Sequence, residues 1–130
     1  MKTVNFTLAG RKCCLCFTVE AMFQIQELYG DSTALIDLVM ANTREGFSTA
    51  CKVAAILAEQ GELVRRSLGY DPTPMVSEEA IAATTAPGDI VALKLVIPRV
   101  ISLGYGREVE PENDEVDLGL AELNEQKKTR

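Results

Sequence analysis

The chain opens with a regular alternation of apolar and polar residues. Val4, Phe6 and Leu8 alternate with Thr3, Asn5 and Thr7, which predicts a strand with one buried face. Gly10 then predicts a tight type II′ turn in which it is the first of two loop residues. The return strand is predicted over 12–18, with Leu15 and Phe17 facing Phe6 and Leu8. Because an isolated two-stranded hairpin is marginal in water, this hairpin must pack on helices or join another sheet.

Beyond the hairpin, apolar residues recur every three or four positions, which predicts helices. The expected N-caps are Thr18, Asp31 or Ser32, Asn42 or Thr43, and Ser77, and the expected helix ends are Tyr29, about Leu68 and about Ala83. A last helix should begin near Pro87 and run to about Leu103. The predicted fold is therefore α+β and mostly α, with an N-terminal β-hairpin over about 3–18 packed on a bundle of about five helices.

The longest predicted helix carries an apolar series with alternating steps of three and four. We call this series the long-helix seam, and it comprises Phe47, Ala50, Ala54, Leu57, Gly61, Val64 and Leu68. Its small residues would let a neighbouring helix approach closely. The seam is either internal core or a surface for a partner, and its candidate partner-binding residues are Phe47, Leu57 and Val64. The last helix, Ile90–Leu103, is apolar nearly all round and is expected at the centre of the fold.

The charge pattern divides the chain into an apolar body, 1–106, and a charged segment, 107–130. The segment holds eight acids and four bases, a net charge of −4 out of the total of −6, and is predicted to be an acidic, largely disordered tail. Within it, Val116, Leu120 and Leu123 form a short apolar stripe. This stripe is either a frayed helix or a stretch lying on its own body, or it is a recognition segment that orders on a partner.

The composition argues against several partners and locations. A pI near 4.7 without a basic cluster excludes the electrostatic footprint of a nucleic-acid binder, and anionic membrane surfaces would repel such a chain. The sequence shows no apolar run of about 18 residues and no signal peptide. An intracellular protein is the resulting expectation.

The residues that enzymes and metal sites need are also missing from the sequence. With no histidine, Ser–His and Cys–His nucleophiles are excluded, and no glycine-rich phosphate loop is present. Cys13, Cys14 and Cys16 are crowded inside a strand pattern, so we expect reduced thiols that pack as small hydrophobic side chains. We predict a protein that is not an enzyme and that uses no cofactor or metal.

The order of these features resembles a known family. The LAG-type hairpin turn, the strand ending in FT and the helix EAMFQIQELYG are similar to the opening of tail assembly chaperones from long-tailed phages and prophages of Gram-positive bacteria, a family related to one in gene transfer agents. The segments NTREGFSTACKVAAILAEQGELVRRSLGYDP, ISLGYGREVE and DEVDLGLAELNEQKKTR extend the resemblance over nearly the whole chain. The resemblance implies an assembly factor in the cytoplasm of a bacterial host cell. Such a factor binds the tape measure protein and helps to recruit tail tube subunits, with homo-oligomerisation an open possibility.

Two other functions stay open at the level of sequence. A small acidic regulatory or inhibitor protein would act through its charge, although the body's eleven acids and nine bases argue against dense surface acids. A cysteine-based metal or redox protein would depend on the cluster at Cys13, Cys14 and Cys16. Replacing these cysteines by serine would abolish metal content or activity only in this last case.

Overall fold

Two strands and five helices follow one another along residues 2–106, the part of the chain that this computed structural model describes. They are β1 (Val4–Leu8), β2 (Arg11–Leu15), α1 (Val19–Tyr29), α2 (Ser32–Met40), α3 (Arg44–Ser67), α4 (Glu78–Thr84) and α5 (Ile90–Gly104), with a 3-10 turn at Pro87–Asp89. The predicted α+β, mostly α fold with an N-terminal hairpin on a helical bundle is confirmed. The predicted tail, 107–130, lies outside the described residues.

The hairpin forms where it was predicted, but its turn and register differ from the prediction. Ala9 and Gly10 both have positive φ, 52° and 75°, which defines a two-residue type I′ turn one position earlier than expected. Leu8 therefore pairs with Arg11, and Leu15 pairs with Val4. The shift by two residues keeps the same side chains on the buried face, since that face repeats every second residue.

The return strand ends at Leu15, three residues before the predicted end. The N–H of Cys16 donates to the carbonyl of Leu57 in α3, at 3.1 Å, and not to β1. Phe17 therefore lies beyond the ladder, where its ring contacts Tyr105 with a centroid separation of 5.3 Å. The chain leaves the hairpin at this point because a hydrogen bond to a helix replaces the next ladder bond.

Side-chain caps fix the start of four helices. Thr18, Asp31, Thr43 and Ser77 each accept a hydrogen bond from the backbone N–H three residues ahead. Such caps satisfy N–H groups that have no partner inside the helix. The predicted N-caps are confirmed, and so is the stop of α1 at Gly30, which has a φ of 89°.

The central helix is α3, and this corrects the expectation for the last helix. Between Thr49 and Glu62 almost every side chain of α3 is buried, and the helix contacts α1, α2, α4, α5 and β2. By contrast, α5 leaves Val91 and Leu95 64% and 56% exposed. The most uniformly apolar helix, α5, is therefore not the central one. Helix α3 takes that place because its alanine, glycine and threonine residues allow close packing on every side.

Gly61 lets the hairpin approach α3 closely. An added Cβ at this position would overlap the carbonyl of Cys14 in β2. The small residues of the long-helix seam therefore admit a strand at this point, where a helix was expected. Strand β2 and helices α2 to α5 each contribute a fully buried side chain to one core, namely Leu15, Leu35, Leu57, Ile81 and Ile97.

Candidate functional site

A groove of about 730 Å³ lies between β2, the last turns of α3 and the segment that follows α3. We call it the α3 groove. Its apolar lining includes Val64, Leu68, Tyr70, Met75 and Val76. The side chains of Leu68, Tyr70 and Met75 are 71%, 60% and 41% exposed. Neighbouring exposed apolar side chains of this kind are a common feature of protein interaction sites.

One wall of the groove is the segment that follows α3, and Glu62 attaches this segment to the helix. Its carboxylate is buried and accepts hydrogen bonds from the N–H and hydroxyl of Thr73, at 2.7 and 2.8 Å. It also accepts bonds from the guanidinium groups of Arg65 and Arg66, at 2.7 and 2.9 Å. The two bonds from Thr73 attach the segment after α3 to the helix, and the two arginines of α3 complete the set of four donors around the carboxylate.

The hydrogen bonds to Glu62 outweigh the effect of its burial on the pKa. Burial by itself would raise the pKa of this carboxyl, but the bonds from Thr73, Arg66 and Arg65 favour the charged form and lower it to about 2. Glu62 is therefore ionised at neutral pH. The carboxylate is a structural anchor and has no free lone pair to offer as a base.

Three arginines complete the attachment by binding backbone carbonyls of the same segment. Arg65 donates to Asp71 at 3.2 Å and Arg66 donates to Thr73 at 3.0 Å. Arg11 of the hairpin donates to the carbonyls of Pro74 and Met75, at 3.4 and 3.2 Å. Arg65 and Arg66 of α3 thus both bind the segment that forms this wall of the groove.

The groove has cationic as well as apolar lining. Arg11, Lys12 and Arg65 line it together with one acid, Glu62, and that acid is engaged by Arg65 and Arg66. The guanidinium of Arg65 also lies 5.4 Å from the ring centroid of Tyr70, within cation–π range. A segment that combines apolar and acidic side chains fits this lining best.

The predicted partner-binding residues fall in different places. Val64 lines the groove. Phe47 is half-buried against the core. Leu57 is 0% exposed, which supports the alternative that this part of the seam is internal core. Its side chain points into the core because α3 is packed on all sides at this level. Val116, Leu120 and Leu123 lie outside the described residues.

Sequence reasoning missed Tyr70, Met75 and the role of Glu62. The spacing of Glu62, Arg65 and Arg66 is the one local signal, because residues three and four apart meet on a helix surface. That spacing indicates an ion pair but not the loop that the carboxylate also binds. Thr73 is eleven positions away from Glu62, so only the folded chain reveals their contact.

The cysteines are packed thiols in this structure. Burial raises the pKa of the Cys13 and Cys16 thiols, and it raises that of Cys51 to about 11. A protonated thiol is a poor nucleophile and a poor metal ligand. Within residues 2–106, no group of three or more Cys, Asp or Glu side chains is arranged to hold a metal ion.

Comparison with known proteins returns no match: no protein-family model, curated protein or solved structure matches this chain. Across residues 2–106 no single helix is long and apolar enough to cross a membrane. The bent pair formed by Glu78–Thr84 and Pro87–Gly104, at 114°, meets the length and composition criteria only when the two are joined.

Proposed function

We propose that this chain is a non-enzymatic assembly factor, a tail assembly chaperone of a long-tailed phage or prophage. In this proposal it binds apolar segments of the tape measure protein in the host cytoplasm and helps to recruit tail tube subunits. The observation that carries the proposal is the α3 groove, where exposed Leu68, Tyr70 and Met75 adjoin cationic side chains. The sequence resemblance over nearly the whole chain supplies the identity of the partner.

The groove suits reversible binding of an apolar stripe. Burying one large apolar side chain is worth about 1.5–3 kcal/mol, so three such side chains supply a modest gross free energy. Association itself costs at least about 4 kcal/mol, which leaves a weak single contact. Many copies along one long filament would bind through avidity, and each copy would still dissociate when tube subunits arrive.

The rigid wall of the groove supports the same function. Because Glu62, Arg11 and Arg66 already hold the segment after α3, little backbone ordering remains to be done on binding. Preorganisation of this kind improves affinity by reducing the entropy lost on association. The carboxylate in the lining, Glu62, is already engaged by Thr73, Arg65 and Arg66, which favours a binding role for the groove over a catalytic one.

Co-expression with the tape measure protein encoded beside this chain tests the proposal. We expect the wild-type chain to raise the soluble yield of that protein and to co-purify with it. Leu68→Asp should abolish both effects, because it places a charge in the apolar lining. Val91→Asp is the matched control, since Val91 is similarly exposed, at 64% against 71% for Leu68, but lies on α5.

Three outcomes would contradict the proposal. A tape measure protein that is equally soluble with and without this chain would remove its main support. Equal loss with Leu68→Asp and Val91→Asp would remove the groove as the binding site. Full retention of binding by Leu68→Asp, with an unchanged circular dichroism spectrum, would do the same.

A further inference from the structure

The α3 groove is a local excess of positive charge on an acidic protein. Arg11 and Lys12 form no ion pair with any acid in residues 2–106, since the ion pairs there involve Lys52, Arg65 and Arg66. The single acid in the lining, Glu62, is taken up by Arg65 and Arg66. Two cations therefore remain uncompensated beside the exposed apolar side chains of Leu68, Tyr70 and Met75.

The same chain contains a segment with the complementary pattern. Residues 108–117 hold six acids and no base, and Leu118, Leu120 and Leu123 follow directly. An acidic stretch joined to an apolar stretch matches a groove that combines cations with an apolar surface. The opposite charges of the segment and the groove favour association, and they set the direction in which the segment lies along the groove.

The point where the described chain ends lies near the groove. Gly104 packs against Phe17, such that an added Cβ would be 2.6 Å from the Phe17 Cβ. Phe17 is three residues from Cys14, which lines the groove, and three residues span at most about 11 Å. The eleven residues 107–117 can extend over up to about 36 Å, so Leu120 and Leu123 reach the groove easily.

We propose that residues 107–130 of this chain bind in its own α3 groove. In this arrangement the acids of 108–117 lie against Lys12 and Arg11, and Leu120 and Leu123 cover Leu68, Tyr70 and Met75. The attachment in the same chain gives an effective concentration of about 1 mM. Even a sub-millimolar contact therefore keeps the groove occupied.

This inference deepens the proposed function and rests on it for one consequence. A tape measure segment that binds the groove has to displace residues 107–130. The apparent affinity for that partner is therefore reduced in proportion to the fraction of molecules whose groove is open. Displacement also frees the acidic segment for tube subunits. An exposed apolar groove is in this way kept from non-specific contacts until the correct partner arrives.

Tryptophan emission tests the inference in the full-length chain without any partner. The sequence contains no tryptophan, so Leu123→Trp introduces a single reporter. We expect its emission to be blue-shifted relative to a free peptide of residues 107–130 with the same substitution. Adding Leu68→Asp or Lys12→Glu should return the emission to that of the free peptide, and 1 M salt should weaken the shift because it screens exposed charges.

Matched controls and a dilution series make the result decisive. Val91→Asp and Arg99→Glu change exposed residues of α5 and should leave the blue shift intact. Emission equal to that of the free peptide in the Leu123→Trp chain would overturn the inference. So would a blue shift that survives Leu68→Asp and Lys12→Glu, or one that disappears on dilution, which would place the segment on a second copy. Because no tape measure protein is present, failure here is distinct from failure of the co-expression test.

Discussion

At the scale of single residues, Glu62 is the side chain on which the groove most depends. It is a buried carboxylate with four donors, and two of them belong to a loop residue eleven positions away. Losing the charge leaves at least one of the donors of Thr73 and the two arginines without an acceptor. An unpaired buried polar group costs about 1–3 kcal/mol, which is large against the marginal stability of a small domain.

We expect Glu62→Gln to lower the free energy of unfolding by about 2 kcal/mol at pH 7. The amide presents an NH₂ group where the carboxylate accepts from arginine, so at least one donor loses its bond. Urea unfolding measures the difference. Glu59→Gln on the exposed side of the same helix is the control and should be neutral, and an equal loss in both variants would contradict the assignment.

The pH dependence of the stability of wild type and of Glu62→Gln tests whether the carboxylate stabilises the fold through its charge. The pKa of Glu62 is lowered from 4.5 to about 2 in the folded protein, so its stabilisation is fully present above pH 4.5 and is lost as the pH falls from 4.5 to 2. The stability gap between wild type and Glu62→Gln should therefore narrow over that window. A gap that stays constant between pH 5 and pH 2.5 would show that the carboxylate acts by shape alone.

At the scale of elements, the decisive contact is the one between β2 and α3. Cys16 N–H donates to Leu57, and the Cys14 carbonyl lies where a side chain at position 61 would be. A strand backbone can approach a helix this closely only at glycine. This contact attaches the hairpin to the bundle and forms one wall of the α3 groove.

Gly61→Ala should therefore destabilise the protein although alanine favours helices. The gain in helix propensity is about 1 kcal/mol, but the methyl group overlaps backbone that cannot rotate away, and we expect a net loss of about 2 kcal/mol or more. Thermal unfolding provides the measurement. Gly88→Ala, where the added Cβ meets nothing within 4 Å, should change stability by less than about 0.5 kcal/mol. Stabilisation by Gly61→Ala would refute the close approach.

At the scale of the whole molecule, the proposed binding surface adjoins the core, and Ala58 and Val76 belong to both. Strand β2 and helices α2 to α5 each bury a side chain completely, whereas the groove side chains Leu68, Tyr70 and Met75 are left open. The bundle also buries a lysine, Lys94, and supplies hydrogen-bond acceptors for it. Its ammonium is buried and donates to the Ala41 carbonyl and the Asn42 side chain, at 3.0 and 3.1 Å, where α2 meets α3.

A chain truncated after Gly106 should retain the fold. Since residues 2–106 contain a buried core of their own, we expect the melting temperature to fall by no more than about 8 °C, the equivalent of about 1 kcal/mol for a domain of this size. Differential scanning calorimetry of the full-length and truncated chains measures this. A fall of about 20 °C, or loss of the cooperative transition, would mean that residues 107–130 complete the core.

The sequence alone determined the elements of this protein, because caps, turns and apolar periods act between residues a few positions apart. Thr18 and Ser77 were each the single predicted N-cap, whereas Asp31 and Thr43 were each one of two candidates, and Gly30 marked the end of α1. The hairpin was equally evident, although its register was not, since Ala9 adopts a positive φ that alanine seldom takes.

Only the tertiary structure decided which surfaces are buried. It placed α3 at the centre and left Val91 and Leu95 of α5 exposed, and it enclosed Leu57 while opening Leu68. It also built the groove from partners as far apart in sequence as Arg11 and Met75. Contacts at that separation depend on how whole elements pack, and a local pattern of apolar and polar residues carries no record of which neighbour will cover each face.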